Sequence, residues 1–321
     1  MNRPVVIING MYRSGTSFLW RILSEDPYYK IKLYEPLHPD ILNQSKINDA
    51  MRIYNEDKTL TKHWSPDFNL TKIRLKANDR YTELKNYFND IIRPKTIIKT
   101  TRMNLRLGWL LKNFKNIFII NLVRDPRAVC YSYLRRSEQL YFFKQKKIRD
   151  FYLCFNYYIK NILKQHKNTL KNTSRYWHNE YLRLLIHDKK WGSYARQFKY
   201  SLPPEKILAL YRINYQQSFE DLDQFPENNH LLIKFEDFIN EPQNVLNNIY
   251  NKLNFNEVPQ EVLNSINKKS QSLNKILNHN YNRKIDKNLG IMWREIDEKI
   301  WKKISMKTDI KSIMKKLKYC N

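Results

Sequence analysis

Short apolar runs alternate with longer stretches of helical spacing along this chain. "PVVII", residues 4–8, is β-branched and ends at Asn9-Gly10. It predicts a strand buried on both faces, as in a parallel sheet. A loop over 10–16 follows, and then "SFLWRILSED" carries its apolar residues at helical spacing until Pro27 stops it. "IKLYEPLH", 31–38, predicts a second strand ending in a Pro turn, and "TIIKT", 96–100, a third. "NLRLGWLLKNF", 104–114, is helical in pattern. "NIFIINLVR", 116–124, is the most strand-like stretch and fits a central strand.

Beyond it, "DPRAVCYSYLRRS", 125–137, has Pro at a helix start and a helical pattern after it. "PPEKILALYRINYQQSFEDL", 203–222, predicts a helix opened by Pro. "NHLLIKFEDF", 229–238, predicts another buried strand with its turn, and "PQNVLNNIYNKLNF", 242–255, an amphipathic helix. The tail from 296 predicts one or two basic helices. Residues 39–95 are polar and show no clear period. Strands alternating with helices predict an α/β fold, a central parallel sheet flanked by helices. At 321 residues a single domain over 1–321 is expected, with a helical insertion at 138–200 rich in aromatic and basic residues.

Charge changes the picture. There are 58 Lys and Arg against 31 Asp and Glu, a net charge of +27. Such an excess suits a polyanionic partner, an anionic acceptor or a membrane surface; heavy use of Lys, Asn and Ile throughout also fits codon bias. The basic residues are spread along the chain rather than held in one arm, which argues against nucleic acid. Three cysteines, Cys130, Cys154 and Cys320, give neither a disulfide framework nor a zinc signature. The first apolar run is too short for a signal peptide, and no stretch has the ~18–20 apolar residues of a membrane helix. As written, the chain is expected in the cytoplasm, and in the Golgi lumen only if it is a trimmed domain.

The chemistry begins at "INGMYRSGTSFLW". Gly10 and Gly15 stand at G-x-x-x-x-G spacing, but Thr16 occupies the position where a nucleotide triphosphatase carries Lys. A glycine turn between a strand and a helix aims backbone N–H groups at an anion. Ser14, Thr16 and Ser17 add hydroxyls, and Arg13 a planar fork of donors. In "LVRDPRAVCYSYLRR", Arg124 ends the best strand and Ser132 lies eight residues on. They suit a second phosphate; a capped helix with a solvated basic face fits equally.

"YRSGTSFL" and "LVRDPRAVCYS" resemble the paired signatures of the sulfotransferases that use 3′-phosphoadenosine 5′-phosphosulfate (PAPS). With "YEPLH" they are most similar to the carbohydrate (Gal/GalNAc/GlcNAc-type) branch. The resemblance is specific over 5–38 and 117–137, partial over 229–294 and absent over 138–200. It implies a P-loop-like fold and sulfuryl transfer from PAPS to an acceptor hydroxyl, on a carbohydrate first and on a protein tyrosine or small alcohol second. A sulfuryl group carries less charge than a phosphoryl group, so no metal is required. Arg13, Ser14, Gly15, Thr16 and Ser17 would then hold the phosphosulfate, with Arg13 also stabilising the leaving oxygen. Arg124 and Ser132 would hold the 3′-phosphate.

Glu35 in "YEPLH" would take the hydroxyl proton, with His38 in reserve. Without the resemblance Glu35 reads as a surface carboxylate before a turn. Lys99 and Arg102 in "IIKTTR" would face the same cleft, toward sulfuryl oxygens or an acidic acceptor; a solvated face is the alternative. "LLIKFEDFINEPQNVLNNIYNKLNF" is similar to the family's segment of strand, Tyr-Glu-Asp, Pro and helix, with Phe235 where the family has Tyr. "NRKIDKNLGIMWRE" is similar to the segment that closes over the cofactor, making Arg283, Lys284, Trp293 and Arg294 candidates. An atypical P-loop kinase is the distant alternative, and the missing loop Lys argues against it.

Overall fold

A computed structural model describes residues 3–39, 41–42, 51–69, 73–136, 177–266 and 298–319. The chain divides into two compact units, 1–124 with 217–289, and 125–216 with 290–321.

The first unit is the expected α/β sheet. Strand β1 (Val5–Asn9) leads through helix α1 (Thr16–Leu23) to β2 (Ile31–Tyr34). Helices α2 (Ile53–Glu56) and α3 (Thr82–Ile91) precede β3 (Thr96–Thr100), and α4 (Leu107–Asn113) precedes β4 (Ile117–Val123). The five strands run parallel in the order β2-β3-β1-β4-β5, with β5 (His230–Lys234) at one edge. Every residue of β1, β3 and β4 is buried, which is why the apolar runs of β1 and β4 show no alternation.

Side chains alternate between two cores. Val5, Ile7, Ile98 and Ile119 face one, which α3 and α4 cover with Leu84, Tyr87, Phe88, Trp109 and Leu110. Val6, Ile8, Ile97, Phe118 and Ile120 face the other, covered by Leu19, Ile22 and Leu23 of α1 and by residues after β5. Parallel pairing brings the loops after β1, β2, β3 and β4 to one edge, where such sheets bind ligands.

Two elements differ from the sequence reading. The strand over 229–238 stops at Lys234, is only half-buried because it has a single neighbour, and turns at once into a helix, Phe235–Asn240. Helix α3 lies within 39–95, where no period was expected. Its buried Leu84, Tyr87, Phe88 and Ile91 are nevertheless at helical spacing.

The second unit is helical: α5 (Pro126–Arg136), α6 (Trp177–Leu185), α7 (Gly192–Gln197), α8 (Pro203–Leu222, whose last turns belong to the first unit) and, after the two helices α9 (Phe235–Asn240) and α10 (Pro242–Lys252) of the first unit, the basic pair α11 (Glu298–Thr308) and α12 (Ile310–Lys316). The described part of 138–200 is thus helical, and 138–176 lies outside the described residues. Lys307 bonds Glu205 at 2.7 Å, and Arg212 bonds Asp309 at 2.8 Å, tying α8 to the C-terminal pair. His178 is buried with Nδ1 3.0 Å from the Tyr133 hydroxyl. Burial, and then the Lys206 ammonium, lower its pKa to about 3. No helix among the described residues is long and apolar enough to cross a membrane.

Candidate functional site

The loop after β1 is shaped by two residues with left-handed backbone, Arg13 (φ 73°) and Gly15 (φ 97°). Only glycine fits at 15. A Cβ there would lie 2.2 Å from the Phe235 ring, and one at Gly10 would lie 2.5 Å from the Leu122 carbonyl oxygen. Ser14 is buried, and its N–H and hydroxyl both donate to the Met11 carbonyl, at 3.0 and 2.6 Å. Its hydroxyl therefore holds the turn of the loop itself, where the sequence reading had it facing an anion. The first helical bonds run from Phe18 and Leu19 N–H to the Gly15 carbonyl. The N–H groups at Gly15, Thr16 and Ser17 thus open α1 without intrahelical acceptors, and the helix dipole adds positive potential there.

Arg124 follows β4 and comes to this loop. Its Nη1 donates to the Arg13 carbonyl at 3.2 Å, and its guanidinium lies 4.8 Å from the centre of the Phe235 ring. Arg13, Arg124, Gly15 and Phe235 therefore form one assembly. Ser132 lies on α5 in the second unit.

Beneath the loop, three fully buried asparagines join strand ends. Asn9 Nδ2 donates to Asn104 Oδ1 at 3.0 Å and to Asn121 Oδ1 at 2.9 Å. Asn104 in turn donates to the Thr101 carbonyl at 3.1 Å and accepts at its own carbonyl from Ser218. Buried polar chains of this kind fix one geometry, because each broken bond leaves an unpaired group out of water. Sequence reasoning missed this network, since its members lie 95 and 112 positions apart.

The second cluster sits at the ends of β2 and β3. Glu35 is in the left-handed region (φ 50°), held by its N–H to the Lys99 carbonyl at 2.7 Å. A non-glycine residue there is strained, and such strain gathers at functional sites. Its carboxylate accepts from the Lys99 ammonium, from Thr101 N–H (3.2 Å) and Oγ1–H (2.7 Å), and from Arg102 Nη1 (3.3 Å). Burial opposes ionisation of Glu35. The Lys99 and Arg102 charges, with hydrogen bonds from Lys99 and Thr101, outweigh it and lower the pKa to about 2.

Lys99 is buried, so the solvated alternative for it falls, and both cations are paired with Glu35. Glu35 itself is buried too, against its plain reading as a surface carboxylate. His38 closes the turn with its N–H to the Glu35 carbonyl at 2.8 Å. The Tyr87 hydroxyl braces the same turn at the Pro36 carbonyl, 2.7 Å.

Tyr34 stands between the two clusters. Its hydroxyl shares a hydrogen bond with Ser17 Oγ at 2.8 Å, and its ring centre lies 4.5 Å from Lys99 Nζ. Alternation along β2 set this residue on the face opposite Leu33, the only signal the sequence offered. Arg283, Lys284, Trp293 and Arg294 lie outside the described residues. No group of three or more metal-ligating side chains stands together among the described residues.

Comparison with solved structures finds several similar chains. One is the sulfotransferase domain of the Synechococcus PCC 7002 olefin synthase (14% identity, 97% of this chain and 96% of that one, TM-score 0.46). A second is the sulfotransferase domain from the curacin biosynthetic pathway (16% identity, 96% and 98%, TM-score 0.44). A third is a sulfotransferase from Mycobacterium tuberculosis H37Rv (10% identity, 96% and 77%, TM-score 0.44). None of the curated proteins compared matches the chain. Residues 4–193, which carry the glycine loop, Glu35 and Arg124, match the sulfotransferase family. This chain belongs to that family.

Proposed function

We propose that the protein transfers a sulfuryl group from PAPS to an acceptor hydroxyl by in-line displacement. One observation carries the reading: a glycine loop without the phosphoryl-transfer Lys, joined by Arg124 at the Arg13 carbonyl. The N–H groups of Gly15, Thr16 and Ser17, with the Ser17 hydroxyl and Arg13, bind the 5′-phosphosulfate; Ser14 shapes the loop that presents them. Arg13 also meets charge as it develops on the bridging oxygen. Arg124 is assigned to the 3′-phosphate, and Ser132 is assigned as a hydroxyl donor to the donor nucleotide.

The acceptor oxygen attacks sulfur while the bond to the bridging oxygen breaks, and adenosine 3′,5′-bisphosphate leaves. Glu35 receives the hydroxyl proton. It is ionised at neutral pH but is a weak base while Lys99 and Arg102 bind it. A base works best with a pKa near the operating pH. In this reading Lys99 turns from Glu35 to the sulfuryl oxygens when donor arrives, and Glu35 gains proton affinity as it is released.

The acceptor we favour is a sugar hydroxyl, on the strength of "YEPLH" beside "RSGTSFL" and "LVRDPRAV". The charge of +27 suits an anionic glycan. A panel of neutral and acidic glycans, tyrosine peptides and small alcohols decides this; preference for neutral glycans or for tyrosine overturns the respective part. The donor is tested first, by thermal shift with adenosine 3′,5′-bisphosphate beside ATP–Mg²⁺ and AMP. Ligand at 100 times its dissociation constant stabilises by about 2.7 kcal/mol. A shift with the bisphosphate supports the reading, and a shift with ATP–Mg²⁺ alone replaces it with a kinase.

A further inference from the structure

Tyr34 touches both halves of the site through different parts of one side chain. Its hydroxyl meets Ser17 at the start of α1, and its ring meets the Lys99 ammonium, whose other partner is Glu35. The contact with Lys99 is built into the sheet, because Tyr34 and Lys99 are register partners on β2 and β3. The Trp20 ring meets the Tyr34 ring edge-on at 5.3 Å, and the Tyr54 hydroxyl donates to its carbonyl at 3.4 Å. The side chain is thus held from α1 and from the neighbouring strand, and the backbone that carries it from α2.

We propose that Tyr34 is a positioning residue that couples the donor loop to the Lys99–Glu35 pair, its hydroxyl anchoring Ser17 and its ring seating the Lys99 ammonium. The proposal rests on the sulfotransferase reading of the loop. A hydroxyl that donates to a bound anion has only its lone pairs left for a second partner. When Ser17 donates to the phosphosulfate, Tyr34 must donate to Ser17, so one hydrogen bond points from Tyr34 through Ser17 to the ligand. The ring face attracts a desolvated ammonium. It offers Lys99 a second seat beside the carboxylate and keeps the ammonium near as Glu35 takes up its proton.

The two halves are separable. Tyr34→Phe deletes the hydroxyl and keeps the ring; Tyr34→Leu deletes both, with Tyr34→Met as a second aliphatic variant should Leu not fold. Calorimetry with adenosine 3′,5′-bisphosphate reads the hydroxyl. Tyr34→Phe weakens binding roughly two- to tenfold, the worth of one hydrogen bond. In a Ser17→Ala background the same change has no further effect. An equal loss in both backgrounds overturns the coupling through Ser17.

The carbon-13 titration of the Glu35 carboxyl, read without ligand, reports the ring. Its midpoint stays in place in Tyr34→Phe and rises in the aliphatic variants, as the ammonium is no longer confined. An unmoved midpoint in those variants overturns the seating of Lys99. Wild-type protein that binds no bisphosphate overturns the donor reading and the hydroxyl half together, and the titration still decides the ring half.

Discussion

Lys99 and Glu35 form an ion pair at the ends of adjacent parallel strands, 2% and 5% exposed. Two charges removed from water tolerate each other only while both are present. Loss of one partner leaves an uncompensated buried charge. Glu35 keeps Arg102 and Thr101 when Lys99 is lost, whereas among the described residues Lys99 keeps only the Tyr34 ring when the carboxylate is lost.

The two single replacements therefore differ. Glu35→Gln lowers unfolding stability by roughly 3 kcal/mol and Lys99→Met by less, while the double variant loses less than their sum. Urea denaturation of the four proteins measures this. Additive losses show that the two side chains do not depend on each other.

Acid stability follows from two groups. The lowered pKa of Glu35 means that its charged form is favoured in the fold. Its stabilisation is complete above about 4.5 and is lost as pH falls toward about 2. His178 is kept neutral by burial and by Lys206, down to about 3 against an ordinary 6.5. The unfolded chain takes up that proton first, so stability declines as pH falls through 6.5 toward 3. Loss thus begins at His178, in the second unit, before Glu35 contributes. His178→Gln flattens the upper part of the profile, and Glu35→Gln flattens only the lower part. A wild-type melting temperature constant between about pH 5 and pH 7 contradicts the His178 part.

The sheet was legible because burial on both faces leaves strands no choice of composition. Ile117–Val123 is a central strand, and 96–100 and 203–222 fall at the bounds the pattern gave. The helix at Phe235 was not legible. "KFEDF" continues an apolar run, and its turn into a helix depends on packing Phe235 against Gly15 and Arg124. The glycines of the loop marked its turn between strand and helix, but nothing local showed that Ser14 spends its hydroxyl on Met11. Glu35 stood out only through "YEPLH". Its three donors come from 64 to 67 positions away, a pairing no local pattern encodes.

Gly15 is the most constrained position of the loop. An added Cβ meets the Phe235 ring, and an L-residue at φ 97° is strained besides. Gly15→Ala is expected to weaken bisphosphate binding by about tenfold or more and to lower the melting temperature. Because the obstacle is a side chain, Phe235→Leu added to it restores part of the stability. Gly10→Ala has no such rescue, since its obstacle is the Leu122 carbonyl. Thermal unfolding of the four variants checks the contrast, and equal response of both glycines to Phe235→Leu contradicts it.

Arg124 has two assignments that a ligand pair can separate. It braces the loop through the Arg13 carbonyl, and it is proposed to bind the 3′-phosphate. The second role alone discriminates adenosine 3′,5′-bisphosphate from AMP, which lacks that phosphate. A hydrogen-bonded charge contact is worth about 1.5–3 kcal/mol, so Arg124→Ala weakens the bisphosphate by roughly ten- to hundredfold. AMP binding changes far less if the loop keeps its shape. Arg124→Lys retains charge but not the planar fork, and recovers only part of the loss. Calorimetry with both nucleotides on the three proteins gives the answer. Equal weakening of the two ligands assigns Arg124 to the shape of the loop and removes it from the 3′-phosphate; loss confined to the bisphosphate makes it the residue by which this site tells its donor from ordinary adenine nucleotides.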